Sequence, residues 1–255
     1  FIMSDILPFM KNSKAINFWK LRGSLASTAR LNSPYSNQSV FNNVLSSGLG
    51  FAYGFTNNNP DLVPELQDTY EVGTEMRLFN DKFTIDLTYY NTKCDRHIME
   101  NFRSSYGTGF VLNTLNTATT RNEGVEIVLG VTPVKNKNFS WNMLFNANRM
   151  WNEVLFLPGN VPEFYISDTW LFGNARGGLV AGGPTTGITA IGYGRNINGD
   201  ILINPTTGIP LAGNDFRIFG DRNPNFTVGI TNNLRYKNWG LSFLWDYRNG
   251  GDIFN

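Results

Sequence analysis

Apolar and polar residues alternate one by one over stretches of about ten residues, and the pattern recurs seven times along this 255-residue chain. Period-two alternation places every second side chain on one face of an extended strand. In the first stretch Trp19, Leu21 and Leu25 oppose Lys20, Arg22 and Ser24. Tyr70, Val72, Met76 and Leu78 then oppose Glu71, Gly73, Glu75 and Arg77. Phe83, Ile85, Leu87 and Tyr89 oppose Thr84, Asp86 and Thr88, and Val125, Ile127, Leu129 and Val131 oppose Glu126, Gly130 and Thr132. Trp141, Met143 and Phe145 oppose Ser140, Asn142 and Asn146, and Phe226, Val228, Ile230, Leu234 and Tyr236 oppose Thr227, Gly229, Thr231 and Arg235. In the last stretch Trp239, Leu241, Phe243, Trp245 and Tyr247 oppose Gly240, Ser242, Asp246 and Arg248. Helical periodicity is scarce, so the expected fold class is all-β.

The connections constrain the arrangement further. Polar turns join stretches at Asn80-Asp81, across Pro133 to Asn138, and at Lys237-Asn238. The others are long: Thr28 to Gln67, Lys93 to Arg121, and Glu153 to Asn225. Short and long connections alternate strictly, which puts all short turns at one end of an antiparallel sheet. Transmembrane β-barrels have this layout, with short periplasmic turns and long extracellular loops. About 9–11 tilted residues cross a bilayer as a strand. Lys20, Arg22, Arg77 and Arg235 all avoid the apolar parity, where a cation at the midplane costs about 2–4 kcal/mol. Asn232 and Arg149 break the pattern on the apolar side, and Val128 and Leu144 on the polar side.

Composition supports this reading. Aromatics reach 14% while charged residues are only 16%, and the net charge of +1 gives no field that would attract nucleic acid. A single cysteine, Cys94, excludes an internal disulfide. No apolar run is long enough for a transmembrane helix, which does not bear on transmembrane strands. A soluble β-sandwich or carbohydrate-binding β-module also alternates, but does not normally sort its turns into short and long ends.

Several motifs resemble those of SusC/RagA-like TonB-dependent outer-membrane transporters of Bacteroidetes. Asn59-Pro60-Asp61-Leu62-Val63-Pro64-Glu65 followed by Glu71-Val72-Gly73 resembles their NPDLKPE…ExG signature. Asn122-Glu123-Gly124-Val125-Glu126 resembles their NxGxE strand entry, and Gly220-Asp221-Arg222-Asn223-Pro224-Asn225-Phe226 their GDxNP element. Asp246 to Asn255 is similar to their DxRxGGDIYN block. The resemblance implies antiparallel transmembrane β-barrel strands with long extracellular loops, part of a plugged twenty-two-stranded barrel. It also implies energy-coupled uptake of large oligomeric substrates, glycans or peptides, through the TonB complex and with a SusD-like surface lipoprotein. Residues 1–255 are thus expected to be a C-terminal part of such a barrel in outer-membrane lipid. The plug domain and the last strands are expected to lie outside the sequence. A passive porin-type barrel is the alternative that needs no TonB.

Candidate site residues follow from position. Tyr165, Trp170 and Tyr193, deep in the longest loop, are candidates for ligand or lid contact. Glu71, Glu75, Arg77, Asp86, Glu126, Asp246 and Arg248 are expected to face the lumen, bonding across the wall or lining the transport path. Cys94 and the single histidine, His97, are three apart in a presumed loop. A zinc site needs further ligands that the local sequence lacks, so no metal, cofactor or catalytic residue is expected.

Overall fold

The computed structural model describes residues 1–10, 13–44, 50–54, 56–103, 112–159, 161–165 and 175–254. In chain order the strands are β1 (Ile16–Arg30), β2 (Phe41–Val44), β3 (Gly50–Tyr53), β4 (Thr56–Asn57), β5 (Glu65–Leu78), β6 (Phe83–Arg103) and β7 (Leu112–Lys135). They continue as β8 (Phe139–Phe156), β9 (Phe164–Tyr165), β10 (Ala175–Leu179), β11 (Gly187–Tyr193), β12 (Ala212–Asp221), β13 (Pro224–Tyr236) and β14 (Trp239–Gly250). One large sheet runs β1-β5-β6-β7-β8-β13-β14, with β4 added in parallel to β7. The other pairings on this path are antiparallel. Each period-two stretch of the sequence lies within a strand of this sheet.

The register puts the two parities on opposite faces across the whole sheet. Trp19, Met76, Ile85, Leu129, Phe145, Ile230 and Trp245 form one continuous cross-strand row. The next row is Lys20, Glu75, Asp86, Val128, Asn146, Gly229 and Asp246. Successive side chains alternate faces, so the first row lies on the apolar side and the second on the polar side. The apolar face is uncovered: Leu241, Trp245 and Tyr247 are 60%, 65% and 56% exposed. Such a surface requires lipid or another apolar cover.

Sharp turns close the hairpins at one end. Phe79, Asn80 and Asp81 take positive φ angles of 53°, 57° and 61°, and Lys237 takes 48°. Left-handed backbone matches the twist of tightly joined antiparallel strands. At the other end the strands run longer than a bilayer crossing needs. β7 has 24 residues, roughly 80 Å at about 3.3 Å per residue, whereas about 9–11 residues suffice to cross a bilayer. Trp19, Trp141 and Trp239 lie toward the short turns, and Tyr70, Tyr89 and Tyr247 toward the long connections, as aromatic girdles do. Beyond Tyr70 and its ladder partner Asn91, the sheet continues past the length that a bilayer crossing needs.

All three segments expected to be loops contain strand, and within Thr28 to Gln67 β2 pairs with β3 as a separate two-stranded sheet. Most of Lys93 to Arg121 continues β6 and β7, because their backbones remain paired as far as Arg103 and Leu112. Much of Glu153 to Asn225 forms a second antiparallel sheet, ordered β12-β11-β10-β9. It docks on the outer end of β8, where the Val154 N–H donates to the Gly183 carbonyl at 2.8 Å and the Gly182 N–H to the Val154 carbonyl at 2.7 Å. Met99, Ala118, Val154, Leu157 and Leu179 form the buried cluster between the two sheets, with Phe164 packed against it.

Candidate functional site

The polar face holds a chain of short-range contacts. Arg22 lies flat across Gly73 and reaches Asp86, with Nη1 2.9 Å from Oδ2, and Nη2 also donates to Thr88. A β-carbon at position 73 would fall 2.7 Å from Arg22 Nε, so the glycine of the ExG motif leaves room for this strap over β5. Gly124 has the same role for Tyr90, whose hydroxyl would lie 2.6 Å from an added β-carbon. Arg77 pairs with Glu75 at 3.0 Å, and Asn148 Nδ2 donates to Glu126 at 3.3 Å. Arg248 Nη2 donates to the Arg222 carbonyl at 2.7 Å. Glu71 and Asp246 lie on the same face by register.

Two further motifs lock together outside the membrane. The Asp221 N–H donates to Asp252 Oδ2 at 2.8 Å, and the Asp252 N–H donates to the Asp221 carbonyl at 2.7 Å. Asp221 Oδ1 accepts from Thr186 Oγ1 at 2.6 Å and from the Asn223 N–H at 3.0 Å. Asn223 Nδ2 then donates to the Met150 carbonyl at 2.9 Å. Gly250 and Gly251 have φ of 72° and 84°, a region that side-chain-bearing residues rarely adopt. These elements fasten the outer sheet to the wall.

Above the membrane, the polar face opens into a cavity of about 480 Å³. Arg30 and Asn32 reach it from the end of β1, His97 and Glu100 from β6, Thr120 from β7, and Phe164 from the outer sheet. A smaller cavity of about 180 Å³ shares Asn32 and Glu100 with it. Asn32 Oδ1 is buried there with no hydrogen-bond partner among the described residues. Such an acceptor is costly unless something donates to it, so the cavity wall is suited to a ligand N–H or O–H.

Beside the cavity, Cys94 and His97 lie inside β6 and not in a loop. Residues three apart on a regular strand point to opposite faces. Here β6 carries a bulge between Cys94 and His97, opposite Thr120 and Ala118, with Arg96 at φ 58°. The extra residue returns His97 to the face of Cys94. Buried Glu65, the last residue of the NPDLVPE segment, accepts from both: Cys94 Sγ at 3.1 Å and His97 Nδ1 at 2.9 Å. It also accepts from the Ile98 N–H at 3.3 Å. Burial opposes ionisation of Glu65, but the Cys94, Ile98 and His97 contacts outweigh it and hold the carboxyl below its usual range. Burial, aided by the Glu65 carboxylate, pushes the Cys94 thiol up to about 12.

The aromatic candidates fall elsewhere. Tyr165 is half-buried in β9, with the Arg176 guanidinium 4.5 Å from its ring centroid. Arg176 is also held by buried Glu163, Nε to Oε1 at 3.0 Å, and lies 3.7 Å from the Phe216 ring centroid. Tyr193 is 60% exposed at the end of β11 and lines a separate cavity of about 1080 Å³ with Arg195, Arg217 and Phe219. Trp170 lies outside the described residues. Sequence reasoning missed Arg30, Asn32, Glu65 and Glu100. They sit in stretches expected to be loop, or in a motif recognised only as a signature, and strand pairing alone brings them together.

Comparison with known proteins agrees with this architecture. The family model described as TonB dependent receptor-like, beta-barrel, matches residues 13–254. TonB-dependent receptor P3 of Formosa agariphila is 26% identical over 97% of this chain, and receptor P26 of the same organism is 24% identical over 97%. The chain spans 27% of the length of each. A solved structure of the RagAB peptide transporter superposes with a TM-score of 0.76 over 98% of this chain and 28% of its own, at 19% identity. The RagAB peptide importer in its 'closed-closed' state gives 0.76 at the same identity and coverage. These findings bear out the resemblance read from the motifs and set aside the soluble sandwich. The strands form part of an outer-membrane β-barrel, and the chain belongs to the TonB-dependent receptor-like β-barrel family.

Proposed function

We propose that this chain supplies wall and outer vestibule to an outer-membrane importer that takes up oligomeric nutrients, with peptides the favoured class. The observation that carries the reading is the cavity of about 480 Å³ on the polar face, at the outer end of strands that continue through the membrane. Among the described residues its lining holds charges of both signs, Arg30 and Glu100, and a single Phe, Phe164. Oppositely charged groups with an orphan acceptor suit the termini, charged side chains and amide N–H groups of a peptide. A glycan site would favour flat aromatic platforms. The RagAB structures are described as a peptide transporter and importer, which supports the same class.

In this reading the importer draws energy through TonB, which the family description, TonB dependent receptor-like, supports, and works with a SusD-like surface lipoprotein above the vestibule. The lumen-facing charges Glu71, Glu75, Arg77, Asp86, Glu126, Asp246 and Arg248 then serve mainly to brace wall and plug. Tyr165 braces the outer sheet, and Tyr193 and Trp170 are left for contact with lid or ligand. The reading assigns no catalytic step.

The test is uptake by cells carrying the full-length receptor, with labelled oligopeptides and oligosaccharides offered in competition. Peptide uptake that requires TonB and falls in Arg30→Ala and Glu100→Ala variants is expected. Uptake of oligosaccharide alone transfers the assignment to glycans. Uptake that persists without TonB favours a passive porin.

A further inference from the structure

We infer that Glu65, Cys94 and His97 form a zinc-binding site in the outer wall, beside the vestibule. Their donor atoms, one from each residue, all lie within 4.8 Å of one another. In a tetrahedral zinc site with bonds of about 2.0–2.3 Å, neighbouring donors are about 3.3–3.8 Å apart. Cys94 Sγ and His97 Nδ1 already stand 3.1 and 2.9 Å from the Glu65 carboxylate oxygens. Shifts of up to about an ångström therefore convert a hydrogen-bonded cluster into a coordination shell.

Three independent features of the fold build this arrangement. The bulge at Arg96 turns His97 onto the face of Cys94, a one-residue insertion of the kind that re-aims side chains next to sites. The antiparallel pairing of β5 with β6 sets Leu66 opposite Asp95, which brings Glu65 beside the bulge. Cys94 and Glu65 are buried, at 8% and 7% exposure, so neither is an adaptable surface group.

The donor chemistry selects the ion. Thiolate, imidazole and carboxylate together match zinc, whereas calcium and magnesium take oxygen donors almost alone. On binding, the Cys94 thiol releases its proton to solvent, and the imidazole carries its proton on Nε2, leaving Nδ1 to coordinate. The thiolate and carboxylate then balance the 2+ charge of the ion. Three protein ligands leave a fourth position for water or a donor from a bound molecule. His97 also lines the cavity of about 480 Å³, so that position is next to the vestibule.

The experiment uses full-length receptor purified in detergent, stripped with a chelator, and titrated with zinc or with cobalt(II) as a spectroscopic substitute. Wild type should bind one more equivalent of zinc than Cys94→Ser or His97→Gln. Its cobalt form should show a thiolate-to-metal charge-transfer band that Cys94→Ser lacks. Loss of either ligand should weaken that equivalent by more than the roughly 10–100-fold typical of losing an outer-shell group. Heat-modifiable gel migration establishes that each variant retains a folded barrel. Equal zinc stoichiometry in wild type and both folded variants, or a cobalt spectrum without the thiolate band, overturns the inference. Peptide uptake is a separate readout: its failure with zinc bound removes only the import assignment.

Discussion

The indole N–H of Trp141 donates to Asn232 Oδ1 at 3.1 Å, on the apolar face of the sheet. This contact accounts for the one amide that breaks the alternation of β13. Asn232 is 4% exposed, covered by its neighbours on β8 and β14, Met143 and Phe243. Trp19 Nε1 donates to Thr74 Oγ1 at 2.9 Å in the same way, so two tryptophans near the short turns satisfy two polar residues facing lipid. Removing one partner of a buried pair strands the other at about 1–3 kcal/mol, while removing both can be nearly neutral. Trp141→Phe should therefore destabilise the full-length barrel by roughly that amount. Asn232→Leu leaves the indole N–H of half-buried Trp141 unpaired and should also destabilise, though by less, and Trp141→Phe should cost less in its presence. A double-mutant cycle on denaturant midpoints in detergent measures the coupling.

Gly73 and Arg22 give a second prediction. Because the guanidinium lies where a β-carbon at position 73 would project, Gly73→Val should push Arg22 away from Asp86. The pair is more than a third exposed on both sides, so solvent screening limits its worth to about 0.2–1 kcal/mol. Gly73→Val should lower stability by at least that much. Arg22→Ala should remove part of the penalty, because the clash needs both side chains. Unfolding midpoints of the two single variants and the double variant check this.

Much of the wall was legible from the sequence because its signal is local. Parity along each strand and the order of short and long turns determine which face meets lipid and which end points outward. The vestibule was less legible because its signal is not local. Glu65 meets Cys94 and His97 only through strand pairing, and a regular three-residue spacing places the latter two on opposite faces. The bulge at Arg96, a residue with no special preference for left-handed backbone, leaves no clear mark in the sequence. Asn232 and Arg149 looked like errors for a related reason. Their solutions lie on a neighbouring strand or at the interface, where Trp141 bonds Asn232 and Arg149 stacks 4.6 Å from the Trp151 ring centroid.

The reciprocal bonds between Asp221 and Asp252 predict a local effect. Asp252 Oδ2 accepts from the Asp221 N–H at 2.8 Å, at the point where β12 passes to β13. Asp252→Ala removes that acceptor and should raise hydrogen exchange across Ala212–Asp221, while exchange in the membrane part of β13 stays unchanged. Asp252→Asn keeps an oxygen acceptor and should behave close to wild type. Hydrogen-exchange mass spectrometry of the full-length protein in detergent distinguishes the two. Equal protection of Ala212–Asp221 in wild type and Asp252→Ala would show that the outer sheet is held mainly by its contacts with β8.

Phe243 and Ser242 test the assignment of faces most directly. They are adjacent in the middle of β14, paired with Asn232 and Asn233, so one is on the apolar face and the other on the polar face. Arginine at the lipid-facing midplane of a barrel costs about 2–4 kcal/mol, whereas lumen positions accept charge. Phe243→Arg should therefore reduce folding into lipid vesicles by that amount. Ser242→Arg should lie within about 1 kcal/mol of wild type, since Ser242 Oγ loses only one exposed bond to Asn233 Oδ1, at 2.7 Å. The two substitutions add the same side chain one residue apart, so a difference between them reports the face and not the residue type. Equal penalties at both positions would mean that β14 does not present Phe243 to the hydrocarbon core.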